Sequence, residues 1–158
     1  MNFELIHASQ GYKGVINNLM QFYMYDFSAY VDLDLEEDGF FQTYPNLEDY
    51  WIERDKKFPY IIKKNEKYVG FVLVKTIDGE NNHFSIAEFF IMKKYRRTGI
   101  GKTVAVQLFD LYKGQWEVHQ RENNKPALEF WSKTITEYTN GHFSEHFENG
   151  KRIQNFIS

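Results

Sequence analysis

"RRTGIGKTVA" occupies residues 96–105, and its reading decides the fold. Its last part, Gly101-Lys102-Thr103, has the ending of a nucleotide-binding P-loop, G-x-x-x-x-G-K-[ST]. The first glycine of that pattern falls on Arg96. A β-carbon and a long cation stand where the backbone would have to fold closely around a phosphate, so the P-loop reading fails. What remains is R-x-x-G-x-G after a short basic turn, at the start of a helix. A helix N-terminus directs amides without intrahelical partners, and the positive end of its dipole, at one spot. Glycines let an anion approach that backbone, and Arg96, Arg97 and Lys102 add charge around it. On these residues alone, a plain tight turn beside solvated cations stays open as well.

Working outward, the segments before the turn read as antiparallel hairpins, whereas a P-loop fold opens on a parallel unit. "PYIIKK" (residues 59–64) meets "KYVGFVLVKTI" (67–77) across Asn65-Glu66. A loop carrying Asp78-Gly79 leads into "HFSIAEFFIM" (83–92). Residues 68–74 are almost wholly apolar, as in a central strand covered on both faces. Upstream, residues 3–7 alternate as a short strand, and Val15, Ile16, Leu19, Met20 and Tyr23 recur at helical spacing. Asn46 is expected to cap a helix over residues 47–56. Downstream, Ile100, Val104, Leu108, Leu111 and Tyr112 form one helical stripe, with Gly114 as its C-terminal cap. Residues 115–119 read as a strand, which makes a strand–helix–strand crossover with parallel strands. A second helix over residues 126–138 turns Ala127, Phe130, Trp131, Ile135 and Tyr138 inward. Asn149-Gly150 closes a last hairpin between "HFSEHFE" and "KRIQNFIS". The fold class expected is α/β: a mixed, mostly antiparallel sheet flanked by helices, in one domain over residues 1–158.

Composition excludes several function classes. The 158 residues are 42% hydrophobic and 26% charged, as in an ordinary globular domain. A net charge of −3 gives no global attraction to nucleic acid or to an anionic membrane, so neither is expected as a partner. With no cysteine there is no disulfide, no thiolate metal site and no cysteine nucleophile. No apolar run approaches the ~18 residues of a spanning helix, and "MNFELIHASQ" lacks a signal-peptide pattern, which points to the cytoplasm. No metal site is expected. His142 and His146 on one strand lie ~13 Å apart, too far for one ion. "DLDLEEDG" (32–39) imitates a calcium loop, but its glycine is misplaced and its twelfth position is Thr43. That acidic run is either solvated surface or a selector of cationic amines.

"FFIMKKYRRTGIGK" (89–102) resembles the acetyl-CoA-binding motif of the GNAT superfamily of N-acetyltransferases: a hydrophobic strand, a basic link and [QR]-x-x-G-x-[GA]. "ENNKPALEFW" (122–131) is similar to that family's N-x-x-A-x-x-[FL]-Y segment, carried at Asn124, Ala127, Phe130 and Trp131. The order of elements matches a GNAT-like sheet over nearly the whole chain, with the crossover at the cofactor site. The resemblance implies acetyl-CoA as co-substrate. Backbone around Ile91 and Met92 would pair with the pantetheine arm. The amides of Arg97, Thr98, Gly99, Ile100, Gly101 and Lys102 would hold the pyrophosphate, with Arg96, Thr103 and Asn124 also at the cofactor. It implies an amine acceptor and leaves room for a homodimer.

Acetyl transfer to an amine needs a neutral amine, a stabilised carbonyl oxygen and a leaving thiolate that gains a proton. Direct attack needs no enzyme nucleophile. Glu88, an acid inside the apolar stretch "IAEFFIM", is the candidate base. Its alternative is a structural pairing with a cation or a solvent-facing place on the sheet. The family's general acid is a tyrosine where this chain has Trp131, whose indole cannot act as a phenol does. Tyr138, a water or unaided departure would then serve. A non-catalytic acyl-CoA-binding module is the alternative to an enzyme.

Overall fold

Turn chemistry sets the strands. In the computed structural model, which describes residues 2–77 and 81–158, strands β2 (Lys57–Lys64) and β3 (Lys67–Thr76) meet at Asn65 and Glu66, with φ of 49° and 64°. Strands β6 (Ser144–Glu148) and β7 (Lys151–Ile157) meet at Asn149 and Gly150, with φ of 53° and 74°. Two consecutive left-handed residues are what a two-residue hairpin of the twist-matched kind requires. The Asp78-Gly79 loop lies outside the described residues.

With β1 (Glu4–His7), β4 (His83–Ile91) and β5 (Gln115–Arg121), the strands form one sheet in the order β1-β2-β3-β4-β5-β7-β6. It is mostly antiparallel, with β4 and β5 as the parallel pair. The helices are α1 (Lys13–Phe27), α2 (Asp49–Ile52), α3 (Ile100–Leu111) and α4 (Lys125–Thr139). Contacts gather into two compact units, one of Asn2–Leu73 with Glu88–Met92, the other mainly of Val74–Ala87 with Lys93–Ser158.

In the first unit β1 runs antiparallel to β2, from Glu4↔Lys63 to His7↔Tyr60. Helix α1 buries Ile16, Leu19 and Met20, as its 3.6-residue periodicity dictates. Val69 to Val74 are buried without interruption, the pattern of an inner strand, and Tyr23, Phe71 and Phe90 pack ring to ring at 5.9–6.1 Å. The expected helix over residues 47–56 shrinks to the single turn of α2, and Asn46 is not its cap. Asn46 sits in the left-handed region at φ 58°, and Glu48 takes the cap position. One turn is enough to bury Leu47, Tyr50 and Trp51. The Trp51 indole then donates to the Ala8 carbonyl at 3.0 Å, and Lys56 N–H turns back to Glu53. Tertiary anchoring outweighs helix propensity here.

In the second unit β4 pairs with β5 at only three positions, His83↔Gln115, Phe84↔Trp116 and Ser85↔Glu117. Strand β5 continues to Arg121 in register with β7. Phe109 on α3 is the hub of this core, with ring centroids 4.9 Å from Trp116 and from Phe156, and 5.1 Å from Tyr138. Leu111, expected inward, is 60% exposed because the helical stripe ends with Leu108 and Phe109. Gly114 does not cap α3. Tyr112 holds that position, its amide closing on Leu108. The glycine is needed instead for close approach, since a Cβ there would meet the Asn82 carbonyl oxygen at 2.2 Å.

Candidate functional site

The turn before α3 is built from local bonds. Residues Lys93–Tyr95 form one 3₁₀ turn; Arg96 N–H bonds to Lys93 O, and the Thr98 hydroxyl donates to Tyr95 O at 2.6 Å. Arg97 is left-handed at φ 61°, and so is Gly99, the N-cap of α3, at φ 89°. Left-handed backbone is costly for a side chain such as that of Arg97 and free for glycine. Such bends turn successive amides to one side, and the first amides of α3, on Ile100, Gly101 and Lys102, lie beyond the reach of any intrahelical carbonyl. Residues 96–99 are exposed. Lys93, Lys94, Arg96 and Arg97 surround the turn with positive charge, so its residues fit a polyphosphate.

The other expected cofactor residues fall as follows. Thr103 folds its hydroxyl onto Gly99 O at 2.9 Å, which fixes the cap and removes that hydroxyl from the ligand side. The Lys102 ammonium pairs with Glu137 on α4, leaving its backbone amide as the part directed to the turn. Asn124 caps α4: its side-chain oxygen accepts from Ala127 N–H at 3.2 Å, and Pro126 starts the helix with φ already set. Ile91 ends β4 buried, and Met92 donates its amide to Val69 O at 2.8 Å.

Glu88 sits half-buried on β4 within the first unit. Its partners are phenols. Tyr44 donates to Glu88 Oε1 at 3.2 Å, and Tyr23 of α1 bonds to the same carboxyl group. Burial, and after it the charge of Glu88, holds the phenols of Tyr23, Tyr44 and Tyr50 well above the usual tyrosine range. Two neutral phenols therefore bond one carboxyl group and a third feels its charge, an arrangement no spacing in the sequence announces. In the same unit, a cavity of about 390 Å³ opens between α1 and the irregular segment 28–48, lined among others by Asn17, Gln21, Glu36, Asp38 and Thr43. Gln21 pins that segment by bonding both backbone groups of Phe41, at 2.8 and 3.1 Å. The acidic run thus becomes part of a cavity wall.

Trp131 and Tyr138 both belong to the second unit. Trp131 is buried against Phe130 and Phe109, with centroids at 4.8 and 6.4 Å, so its indole fills core volume. Tyr138 lies two helical turns further on, and its hydroxyl donates to Asp110 Oδ1 at 2.7 Å beside Lys113. Burial, then that bond to Asp110, raises its pKa. This tie joins the ends of α3 and α4. Among the described residues no cluster of histidine and acidic side chains could hold a metal ion, and no helix is long and apolar enough to cross a membrane.

Known proteins supply an independent comparison. No curated protein matches the sequence. The structure resembles that of a GNAT-family acetyltransferase from Staphylococcus aureus Mu50 (TM-score 0.66, 18% identity, 98% of each chain covered). It is also similar to PaiA N-acetyltransferase from Thermoplasma acidophilum in complex with coenzyme A (TM-score 0.69, 13% identity, 100% of each chain). A third likeness is spermidine N-acetyltransferase from Vibrio cholerae with CoA and spermine (TM-score 0.66, 15% identity, 99% of this chain and 95% of that one). At these identities the likeness shows the fold alone. The sequence adds what the fold cannot, because the model of the acetyltransferase (GNAT) family matches residues 18–135, from α1 through the glycine turn and into α4. The chain belongs to the acetyltransferase (GNAT) family.

Proposed function

We propose that this protein transfers the acetyl group of acetyl-CoA to a primary amine of a small molecule or peptide, by direct attack without a covalent enzyme intermediate. The observation that carries the reading is the exposed turn at the head of α3, left-handed at both Arg97 and Gly99 within the R-x-x-G-x-G pattern. In this reading its amides hold the pyrophosphate, and two relatives of the same fold were solved with coenzyme A. Acetyl-CoA supplies the activated acyl group. Glu88 takes the proton that the acceptor ammonium must lose before its nitrogen attacks the thioester carbonyl. The C–S bond then breaks to release the CoA thiolate, and the cavity bordered by Glu36 and Asp38 favours a cationic acceptor. Much of the rate then comes from holding the two substrates together.

Release of free thiol from acetyl-CoA across a panel of amines tests the reading. Turnover is expected with at least one cationic amine, and Glu88→Gln should lower it by ~10²-fold or more while acetyl-CoA affinity stays intact. Equal turnover in Glu88→Gln removes the base. A second reading, a non-catalytic acyl-CoA-binding module, is favoured by one observation: the usual phenol position is Trp131, enclosed in the core. Binding of acetyl-CoA with no thiol release for any amine would select it.

A further inference from the structure

Three phenols feel the charge of Glu88, and they come from three different elements: Tyr23 from α1, Tyr50 from α2 and Tyr44 from the segment between those helices. Tyr23 is fixed by ring packing against Phe27, Phe71 and Phe90. Tyr50 is buried at 5% exposure. Tyr44 has a different setting. It directly follows Thr43, the last residue of the cavity wall, and it lies between two buried anchors, Phe41 and Leu47. Between those anchors Gln42, Thr43, Pro45 and Asn46 are all exposed, and Tyr44 alone turns inward, onto Glu88 Oε1.

We propose that Tyr44 is the positioning residue of the base: a phenol on the segment that lines the acceptor cavity, which orients the Glu88 carboxyl group and favours its ionised form. This rests on Glu88 acting as the base. A hydrogen bond donated to the charged form stabilises it, whereas burial opposes it, so deleting the Tyr44 donor should shift the balance toward the protonated acid. The phenols of Tyr44 and Tyr23 bond to Glu88, and Tyr50 feels its charge, with Asp49 also acting on Tyr50 and bridged to Lys57 at 3.5 Å. None of the phenols can take over as an anion, because burial and the neighbouring carboxylate keep each one protonated.

Tyr44→Phe keeps the ring and deletes only the donor. Two readouts are needed, with exposed Tyr25→Phe as the control. First, in substrate-free protein, the Glu88 carboxyl is titrated by carbon-13 NMR, its signal assigned through its loss in Glu88→Gln. The carboxyl pKa should rise by about one unit in Tyr44→Phe and stay put in Tyr25→Phe. Second, the acidic limb of kcat/KM should move up by the same amount, since it reports the free enzyme's base. A carboxyl titration that does not move overturns the proposal. So does one that moves while the acidic limb stays fixed, because the bond then serves folding alone. If wild-type protein transfers to no amine, Glu88 is no base and the proposal falls with that reading; the NMR titration needs no turnover and separates this case from a missing Tyr44–Glu88 bond.

Discussion

Replacing Gly70 with alanine should damage this protein far more than one methyl group suggests. Gly70 lies on β3, where an added Cβ would stand 1.9 Å from the Phe90 carbonyl oxygen, 2.9 Å from its carbon and 3.1 Å from Ile91 Cα. Real contacts of this kind start above 3 Å, so the clash is more than ~1 Å deep. The obstacle is backbone, and it cannot rotate away as a side-chain tip would. Overpacking of a tight core costs ~1–3 kcal/mol, and a backbone clash belongs at the top of that range. For a chain of this size ~3 kcal/mol corresponds to a Tm loss of roughly 6–12 °C, read by scanning calorimetry. Phe90 is two residues from Glu88, so a displaced β4 should also lower turnover. Gly14, near the start of α1, has nothing within 4 Å of its added Cβ, and Gly14→Ala should hold or raise Tm through helix propensity worth up to ~1 kcal/mol. A Gly70→Ala protein melting within ~1 °C of wild type would refute the reasoning.

Two further outcomes follow from charge and burial. Tyr23, Tyr44 and Tyr50 have raised phenol pKa values, so their contribution to stability is complete below the unfolded value of about 10 and is lost as pH rises beyond it. Tyrosinate absorbance should show these three lagging behind the exposed tyrosines until the protein unfolds, and lagging less in Glu88→Gln; simultaneous ionisation near pH 10 with far-UV dichroism intact would contradict this. Arg152, 7% exposed on β7, donates to Gln120 at 2.7 Å, Ser132 at 2.6 Å and Leu128 O at 3.0 Å. Arg152→Ala leaves buried amides unpaired and should cost ~3–5 kcal/mol by denaturant unfolding, whereas a cost below ~1 kcal/mol would show that the network is not needed.

Local chemistry was legible in the sequence and distant juxtaposition was not. The signals of the apolar run in "KYVGFVLVKTI", the paired turn residues at Asn149-Gly150 and the stripe on α3 each lie within a few residues, and the fold follows them. The glycine turn was readable because its geometry, too, is local. The phenols around Glu88 were not, since Tyr44 lies 44 residues away in the chain and no spacing links the two. Lys102 reads as a ligand cation until Glu137, 35 residues on, pairs with it. Gly114 has the right offset for a helix cap, yet its role comes from Asn82 on a separate segment. At Asn46 the local signal was misleading: an Asx residue before an amphipathic stretch fits a cap, but Asn also tolerates the left-handed region it occupies.

The central claim, that the turn at the head of α3 binds acetyl-CoA, is tested most directly by calorimetric titration of acetyl-CoA into the wild type and into Gly101→Val, with magnesium ATP titrated in parallel. The account predicts saturable binding at one site in the wild type and at least tenfold weaker binding, ~1.4 kcal/mol, in a Gly101→Val protein whose dichroism spectrum is unchanged. It also predicts that magnesium ATP binds more weakly than acetyl-CoA. Unchanged acetyl-CoA affinity in the folded variant, or binding of magnesium ATP in preference to acetyl-CoA, would contradict it.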